Sequence, residues 1–543
     1  MVSLVSNDLV QQSVYTKVAP KLTAILQQHR FTAAGIQAFL GIPVYEALQR
    51  GEPAAVLFHL QEHANKPLAV LLELFSLHEP VAPARIIEVF GADFTQELID
   101  AGVLGHRSRL VSDDDSDVEK LTALIDVTAH VIQHHNQWVF SDVDASQLDN
   151  YIPGTDHVLG VGAASLSLLK TTPKTFVNSV LDLGTGSGIQ ILGQLDCSRT
   201  ITATDIHPRA LDFAVATLLA ASDHADAPED EQPRGATVEL LQGSWFEPVA
   251  GRSFDRIIAN PPFVVGPGVI EHVYRDSGVA LDGATALVVS QSIEYLRIGG
   301  TAHLLGAWVH QHGQSWQQRI ASWLPDYGVR AWVLQRDVVS PQMYVGTWLR
   351  DESIDPRSRA GRAKTTQWLQ HFRDANVAGV GFGFIALERL EDTVASDIVV
   401  ETLEHSFDGD LGPEIEEYFL RSEWLSHQDT DRMLDTQYFL RPSVAKEDIY
   451  VADKGNEQGF IAELIRLSRM DGPRWSHEID EHLAAIIAGL HPHGLSLREI
   501  ISLYAYGHQY DEAELQAAII APLVDLIRHG LILPTELLRD GEY

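Results

Sequence analysis

The chain has 543 residues, too many for one core, so two to four domains are expected. Its 74 acidic and 39 basic residues give a formal charge of −35, which repels polyanions on average and weighs against a general nucleic-acid binder. One cysteine, Cys197, excludes an intrachain disulfide and a cysteine-based zinc site.

No apolar run approaches the ~20 residues that span a bilayer, so no membrane partner is expected. The start, MVSLVSNDLVQQSV, lacks the basic region and apolar stretch of a signal peptide, and a reduced, cytoplasmic setting is expected. Between residues 20 and 110, PLAVLLELFSL, APARIIEVFG and TQELIDAGVLG read as short amphipathic helices. They lead into HRSRLVSDD and the alternating QWVFSDVD. Helices followed by strands suggest a winged-helix-like module over residues 1–150, or else a helical packing domain that touches no nucleic acid.

From Asn178 the rhythm becomes strand, helix, strand. SVLDL is β-branched and apolar, and a Gly-rich turn follows it. TITATD is a second strand, and PRALDFAVATLLAA a helix with Pro208 in its first turn. ATVELLQ, FDRIIAN and GTAHLLGAW supply three more strands, and SDHADAPEDEQPRG interrupts them as an acidic loop. RAWVLQRDVV and GVGFGFIALERL read as the last two strands. Such alternation implies a parallel α/β sheet over residues 151–395. Residues 396–543 read as mostly helical and again winged-helix-like. Roughly half of the acidic excess lies there.

VLDLGTGSGIQ is the first chemical signal. Gly184, Gly186 and Gly188 follow an apolar strand, where side-chain-free backbone lets a ligand lie directly on the chain. A dinucleotide fold would want a third glycine where Ile189 stands. Asp182 offers an acceptor for a ligand ammonium, directly or through water. Asp205, at the end of the next strand, has two oxygens suited to the two hydroxyls of a ribose. An ammonium at one end and a ribose at the other describe S-adenosylmethionine. Thr185 and Ile206 complete this candidate cofactor set. Upstream, Gly160 and Gly162 admit the methionine end before a short helix from Ala163.

IIANPPFVVGPG is the second signal. Pro261 and Pro262 end an apolar strand, because proline lacks the N–H that a ladder needs. Asn260 offers a side-chain carbonyl, and Pro261 a main-chain carbonyl stiffened by Pro262. Two fixed acceptors take both hydrogens of a planar –NH₂ and turn its lone pair toward an electrophile, which is preorganised electrostatic stabilisation. Phe263 stacks on the flat acceptor. Asn260, Pro261, Pro262 and Phe263 are therefore the candidate catalytic residues.

These motifs resemble the Rossmann-like methyltransferases that use S-adenosylmethionine, and within them the (N/D)PP(Y/F) amino-methyltransferases. That group includes HemK-type glutamine methyltransferases of release factors, adenine-N6 methyltransferases and guanine-N2 methyltransferases of ribosomal RNA. LLQGSWFEPVAGRSFDRIIANPPFVV and LDGATALVVSQSIEYLRIGG are most similar to the HemK type. The resemblance covers roughly residues 155–390 and implies a seven-stranded Rossmann-like core. Ser244 stands where HemK-type proteins usually carry an acidic residue facing the adenine amino group. Trp245 is accordingly expected to supply more of that contact.

RSRAGRAK, from Arg357 to Lys364, is the one dense basic run, a candidate phosphate-facing insertion or a solvated loop. HQH at 310–312, HPH at 491–493 and the His134–His135 pair show no metal-ligand spacing, and no metal is expected. The sequence leaves the acceptor open: a glutamine amide of a translation factor, an exocyclic amine in RNA or DNA, a small molecule, or, for a non-catalytic cofactor-binding regulator, none.

Overall fold

The computed structural model describes residues 3–5, 7–106, 120–144, 154, 156–221, 235–266, 279–351, 354–407, 409–455 and 458–538. Residues 222–234 of the acidic loop and 107–114 of the HRSRLVSDD segment lie outside them. The described chain forms two compact units, one of residues 1–169 with 174–401, the other of 170–173 with 402–543.

The first unit is built on seven long strands: β1 (Val177–Leu183), β2 (Ser198–Asp205), β3 (Thr237–Gln242), β4 (Phe254–Ala259), β5 (Leu296–Gln311), β6 (Val329–Val339) and β7 (Val377–Arg389). Their order is β3-β2-β1-β4-β5-β7-β6, with Ser3–Leu4 outside β3 and Asp397–Thr402 outside β6. The first five run parallel, and β7 is antiparallel to both its neighbours. The middle strands bury nearly continuous apolar runs (Val180, Leu181 and Leu183 in β1; Ile257, Ile258 and Ala259 in β4), as a sheet covered on both faces requires. The strand order reverses between β1 and β4, the place where ligands gather in open α/β sheets.

Five helices matter for the site: α1 (Ala163–Thr171), α2 (Pro208–Ala221), α3 (Gly283–Tyr295), α4 (Pro341–Asp351) and α5 (Arg359–Asp374). The basic run expected as an insertion between the last two strands in fact opens α5. Ser358 caps it by accepting from Gly361 N at 2.9 Å, and Arg359 and Arg362 are exposed. A side chain competing for a helix N–H set this boundary, which charge alone did not reveal.

N-terminal to the sheet, seven helices between Val18 and Asp100 and the hairpin Ile125–Ile132/His135–Asp142 surround a core. That core does not stop at residue 150. Ala210, Phe213, Ala216 and Ala220 on α2 belong to it. Tyr15 stacks on Phe213 with centroids 5.5 Å apart, and Phe140 N donates to Thr217 Oγ1 at 3.1 Å. Asp142 holds the Arg209 guanidinium, with Nε at 3.0 Å from Oδ2. The helix that follows β2 thus serves the sheet with one face and the N-terminal helices with the other.

The second unit contains five α-helices among its described residues, from Gly412–Ser426 to Glu512–Arg528, the fourth opened by a Ser496/Glu499 capping box. A three-stranded antiparallel sheet, Val444–Ala452, Phe460–Arg469 and Ser476–Ile479, is additional to the helices expected there. Those strands are half exposed and carry charges on both faces, so their sequence shows no clean period of two. Among the described residues of the whole chain, no helix is long and apolar enough to cross a membrane, and no group of three His, Cys, Asp or Glu forms a metal cluster.

Candidate active site

Strand register brings the two distant motifs together. Leu183, the last residue of β1, pairs with Ala259, the last of β4, and with Thr204 of β2, while Asp205 pairs with Gln242 of β3. Gly184, Asn260 and Gly243 therefore leave their strands at one level, beside Asp205. The Gly184 and Thr185 amides both donate to Thr204 O at 2.9 Å, and Gly243 N donates to Asp205 O at 3.0 Å. These bonds fix the loops to the sheet edge.

A cavity of about 500 Å³ opens at this edge. The glycine turn forms one wall through Gly184, Thr185 and Gly186. Asp205, Ile206, Ser244 and Trp245 form a second, and Asn260, Pro261, Pro262 and Phe263 a third. Gly184 (φ 73°) and Gly186 (φ 54°) adopt left-handed backbone, where any side chain is strained. Apart from their own chain neighbours, no protein atom lies within 4 Å of a Cβ built at either, so the surface beside them is bare backbone. Gly160 and Gly162 also line the cavity, just before α1.

Twelve of the thirteen site residues expected from sequence behave in two ways. Eleven border the cavity. Gly188 does not; its left-handed φ of 83° lets α2 approach, for a Cβ there would come 3.3 Å from Ala214 Cα. The thirteenth, Asp182, is buried at the end of β1 and absent from the cavity wall. Its Oδ2 accepts from Thr185 Oγ1 at 2.6 Å, and its Oδ1, fully buried, has no hydrogen-bond partner. Burial pushes its pKa up to about 7, against the Thr185 hydrogen bond and with the Asp205 charge adding to the rise.

Asp205 accepts from Gly186 N at its Oδ2 and from His207 N at its Oδ1, both at 2.9 Å. Burial raises its pKa, opposed by those amides. Each carboxylate oxygen has two lone pairs, so both retain acceptor capacity toward a diol. Trp245 sits at φ 49°, rare backbone for a bulky residue and a mark of a constrained site.

Asn260 donates through Nδ2 to Ser165 Oγ at 3.4 Å, which leaves its carbonyl oxygen in the acceptor role. Phe263 packs in an apolar cluster with Tyr344, Trp348, Trp368 and Phe372 from α4 and α5, and Tyr344 Oη accepts from Val265 N at 2.7 Å. Trp348 itself reaches the cavity wall. Sequence reasoning missed Trp348, Ser165, Gln190 and His157. Only Gln190 left a signal, as the one polar residue in the buried turn Ile189–Leu192.

These residues suit S-adenosylmethionine. The bare glycine backbone and an acceptor pair for a ribose match its parts, and nothing in the wall demands a phosphate.

Comparison with known proteins agrees. Residues 159–306 match the family described as the methyltransferase small domain. Residues 28–114 and 416–534 match two domains of unknown function, DUF7059 and DUF7782. The chain is 27% identical over 183 residues to the release factor glutamine methyltransferase of Aliivibrio fischeri, covering 32% of this chain and 59% of that one. It is 34% identical over 152 residues to the protein of the same name from Xylella fastidiosa, covering 26% and 48%. The ribosomal RNA small subunit methyltransferase C of Serratia proteamaculans is 31% identical over 114 residues, covering 21% and 29%. The chain thus spans 59% or less of the length of each of these relatives. Residues 159–306 are a methyltransferase small domain, of the class that depends on S-adenosylmethionine.

Proposed function

We propose that this chain is an N-methyltransferase that moves a methyl group from S-adenosylmethionine to the planar –NH₂ of a macromolecule, with a protein glutamine amide of the release-factor kind as acceptor. The observation that carries the reading is the single level at which Gly184, Asp205 and Asn260 leave three neighbouring strands. Donor-binding and acceptor-binding groups share one cavity. The donor supplies an electrophilic methyl carbon on a positively charged sulfur.

The chain's own residues do the rest. Asp205 takes the ribose hydroxyls. Asn260 Oδ1 and the Pro261 carbonyl each accept one hydrogen of the acceptor amine, which draws the lone pair out of conjugation. Pro262 keeps the Pro261 carbonyl from rotating, and Phe263 sets the plane of the acceptor group. In-line attack then becomes a matter of holding nitrogen and carbon about 3–3.5 Å apart. No base is needed before attack, since the methylated nitrogen sheds its proton readily afterwards. Relatives named as release factor glutamine methyltransferases and the net charge of −35 favour a protein acceptor.

A second reading, a nucleobase amine, draws on one observation. α4 and α5 bring a further flat ring, Trp348, to the cavity and expose Arg359 and Arg362 on the same helical pair. Calorimetry with S-adenosylmethionine tests the donor. Mass spectrometry of release-factor peptides and of nucleosides, from cells with and without the gene, tests the acceptor. A methylated glutamine lost with the gene supports the first reading, and a lost methylnucleoside replaces it with the second. Tight donor binding with neither product would leave a cofactor-binding regulator. A cytoplasmic setting is part of this reading, and the chain's single cysteine, buried and free, is in keeping with it.

A further inference from the structure

Gln190 belongs to the cavity wall yet is 4% exposed, on the short turn that follows the three glycines. Its Nε2 donates to the main-chain oxygen of Ser165 at 2.9 Å. Its Oε1 is buried and has no donor. A buried amide oxygen without a partner is rare in folded proteins, because water satisfied it before folding. Ser165 also receives the other amide of the site, through its Oγ, from Asn260 Nδ2. One residue of α1 thus consumes an N–H of two amides and turns both carbonyl oxygens away from itself.

We propose that Gln190 is a donor-binding residue: its Oε1 accepts a hydrogen bond from the ammonium at the amino-acid end of S-adenosylmethionine, and Ser165 holds it in that orientation. The inference rests on the donor reading above. The choice of group follows from placement. The ribose and adenine donors belong to the ends of β2 and β3, at Asp205, Ile206 and Ser244. Gln190 lies after β1, bonded to the helix that Gly160 and Gly162 precede. At that end the ammonium is the donor's only hydrogen-bond donor, since the carboxylate only accepts and the sulfonium sulfur carries no N–H or O–H. An ammonium carries three N–H groups, more than one carboxylate oxygen such as Asp182 Oδ1 can satisfy.

The test is calorimetry on the full chain with two probes, S-adenosylhomocysteine and 5′-methylthioadenosine, which lacks the amino-acid end. The wild type should prefer the first. Gln190→Met, close in shape but without the acceptor, should lose roughly 10- to 100-fold in affinity for S-adenosylhomocysteine and stay within about twofold for the truncated probe. Gln190→Glu restores an acceptor and should keep the preference. If Gln190→Met keeps the wild-type ratio of the two affinities, the assignment is wrong. Should the Met variant fail to fold, the Glu variant decides: a retained preference supports the assignment, and equal affinity for both probes overturns it. Wild type that binds neither probe would instead remove the donor reading itself.

Discussion

Asp182 in the first unit and Glu414 in the second are both buried carboxylates, yet their surroundings drive their acidities apart. Glu414 lies between two guanidiniums, with Arg421 Nη2 at 2.6 Å from Oε1 and Arg469 Nη2 at 2.5 Å from Oε2. Burial works to raise its pKa, but the two arginines win and hold it at about 2. Asp182 has a hydroxyl on one oxygen and nothing on the other, and burial wins, at about 7. The first arrangement satisfies every charge within the fold and serves stability. The second leaves an unmet acceptor beneath a ligand cavity, the kind of perturbed group that marks functional sites.

The sharpest test of how far the first unit's fold is self-sufficient is truncation. Removing residues 1–150 strips Tyr15, Phe140 and their neighbours from the α2 face that carries Phe213, Ala216 and Ala220. Each large apolar side chain so exposed loses about 1.5–3 kcal/mol. Residues 151–401 alone should show no cooperative thermal transition by circular dichroism. A sharp melt near that of the full chain would mean that the shared core is dispensable.

Next in size is Glu414→Gln, which removes the buried carboxylate that Arg421 and Arg469 share and leaves them only the more exposed Glu417 and Asp471 as counter-charges. It should cost the second unit about 3–5 kcal/mol in urea denaturation while S-adenosylmethionine still binds. The sign of the pH effect follows from the depressed pKa. Stability from Glu414 is present above its unfolded value near 4.5 and is lost as pH falls toward 2. A second unit as stable at pH 2.5 as at pH 6 would contradict this.

Asn260→Ala should raise the barrier to methyl transfer by about 2.7–4 kcal/mol, or 10²–10³ in rate. Donor affinity, resting on the glycine turn and Asp205, should stay within about twofold. Wild-type turnover on the true acceptor would reduce the NPPF turn to a strand ending.

How much of this was legible beforehand depended on whether the cause was local. The strand Phe254–Ala259 and the helix Pro208–Ala221 were readable to the residue, because prolines and apolar runs write their own boundaries. The cavity's motif residues were readable too, since glycine turns and prolines are local chemistry. Trp348 was not, because the α4–α5 pair reaches the site only through packing around Tyr344. Nor was the shared core, which α2 makes by burying Phe213, Ala216 and Ala220 on a helix whose apolar residues run nearly all round. The placement of Asp182 was the subtlest. Its identity pointed to a ligand, but its depth depends on the Thr185 side chain folding back over it.

The smallest expected effect returns to that residue and runs opposite to Glu414. Asp182 has a folded pKa near 7 against an unfolded value near 3.8. The folded state therefore binds the extra proton between those values, and stability falls as pH rises from about 4 to 7. Asp182→Asn cannot ionise, while its side-chain oxygen can still accept from Thr185. Below pH 4 variant and wild type should unfold alike. Above pH 7 the variant's first unit should be the more stable, and its profile between 4 and 7 flatter. Donor affinity in the same variant reports whether this buried carboxylate acts on the ligand, since Asp182 itself does not line the cavity. Parallel stability profiles for the two proteins would show that Asp182 does not carry the titration. A gain in stability paired with a loss of binding would show that its burial is retained for the ligand and against the fold.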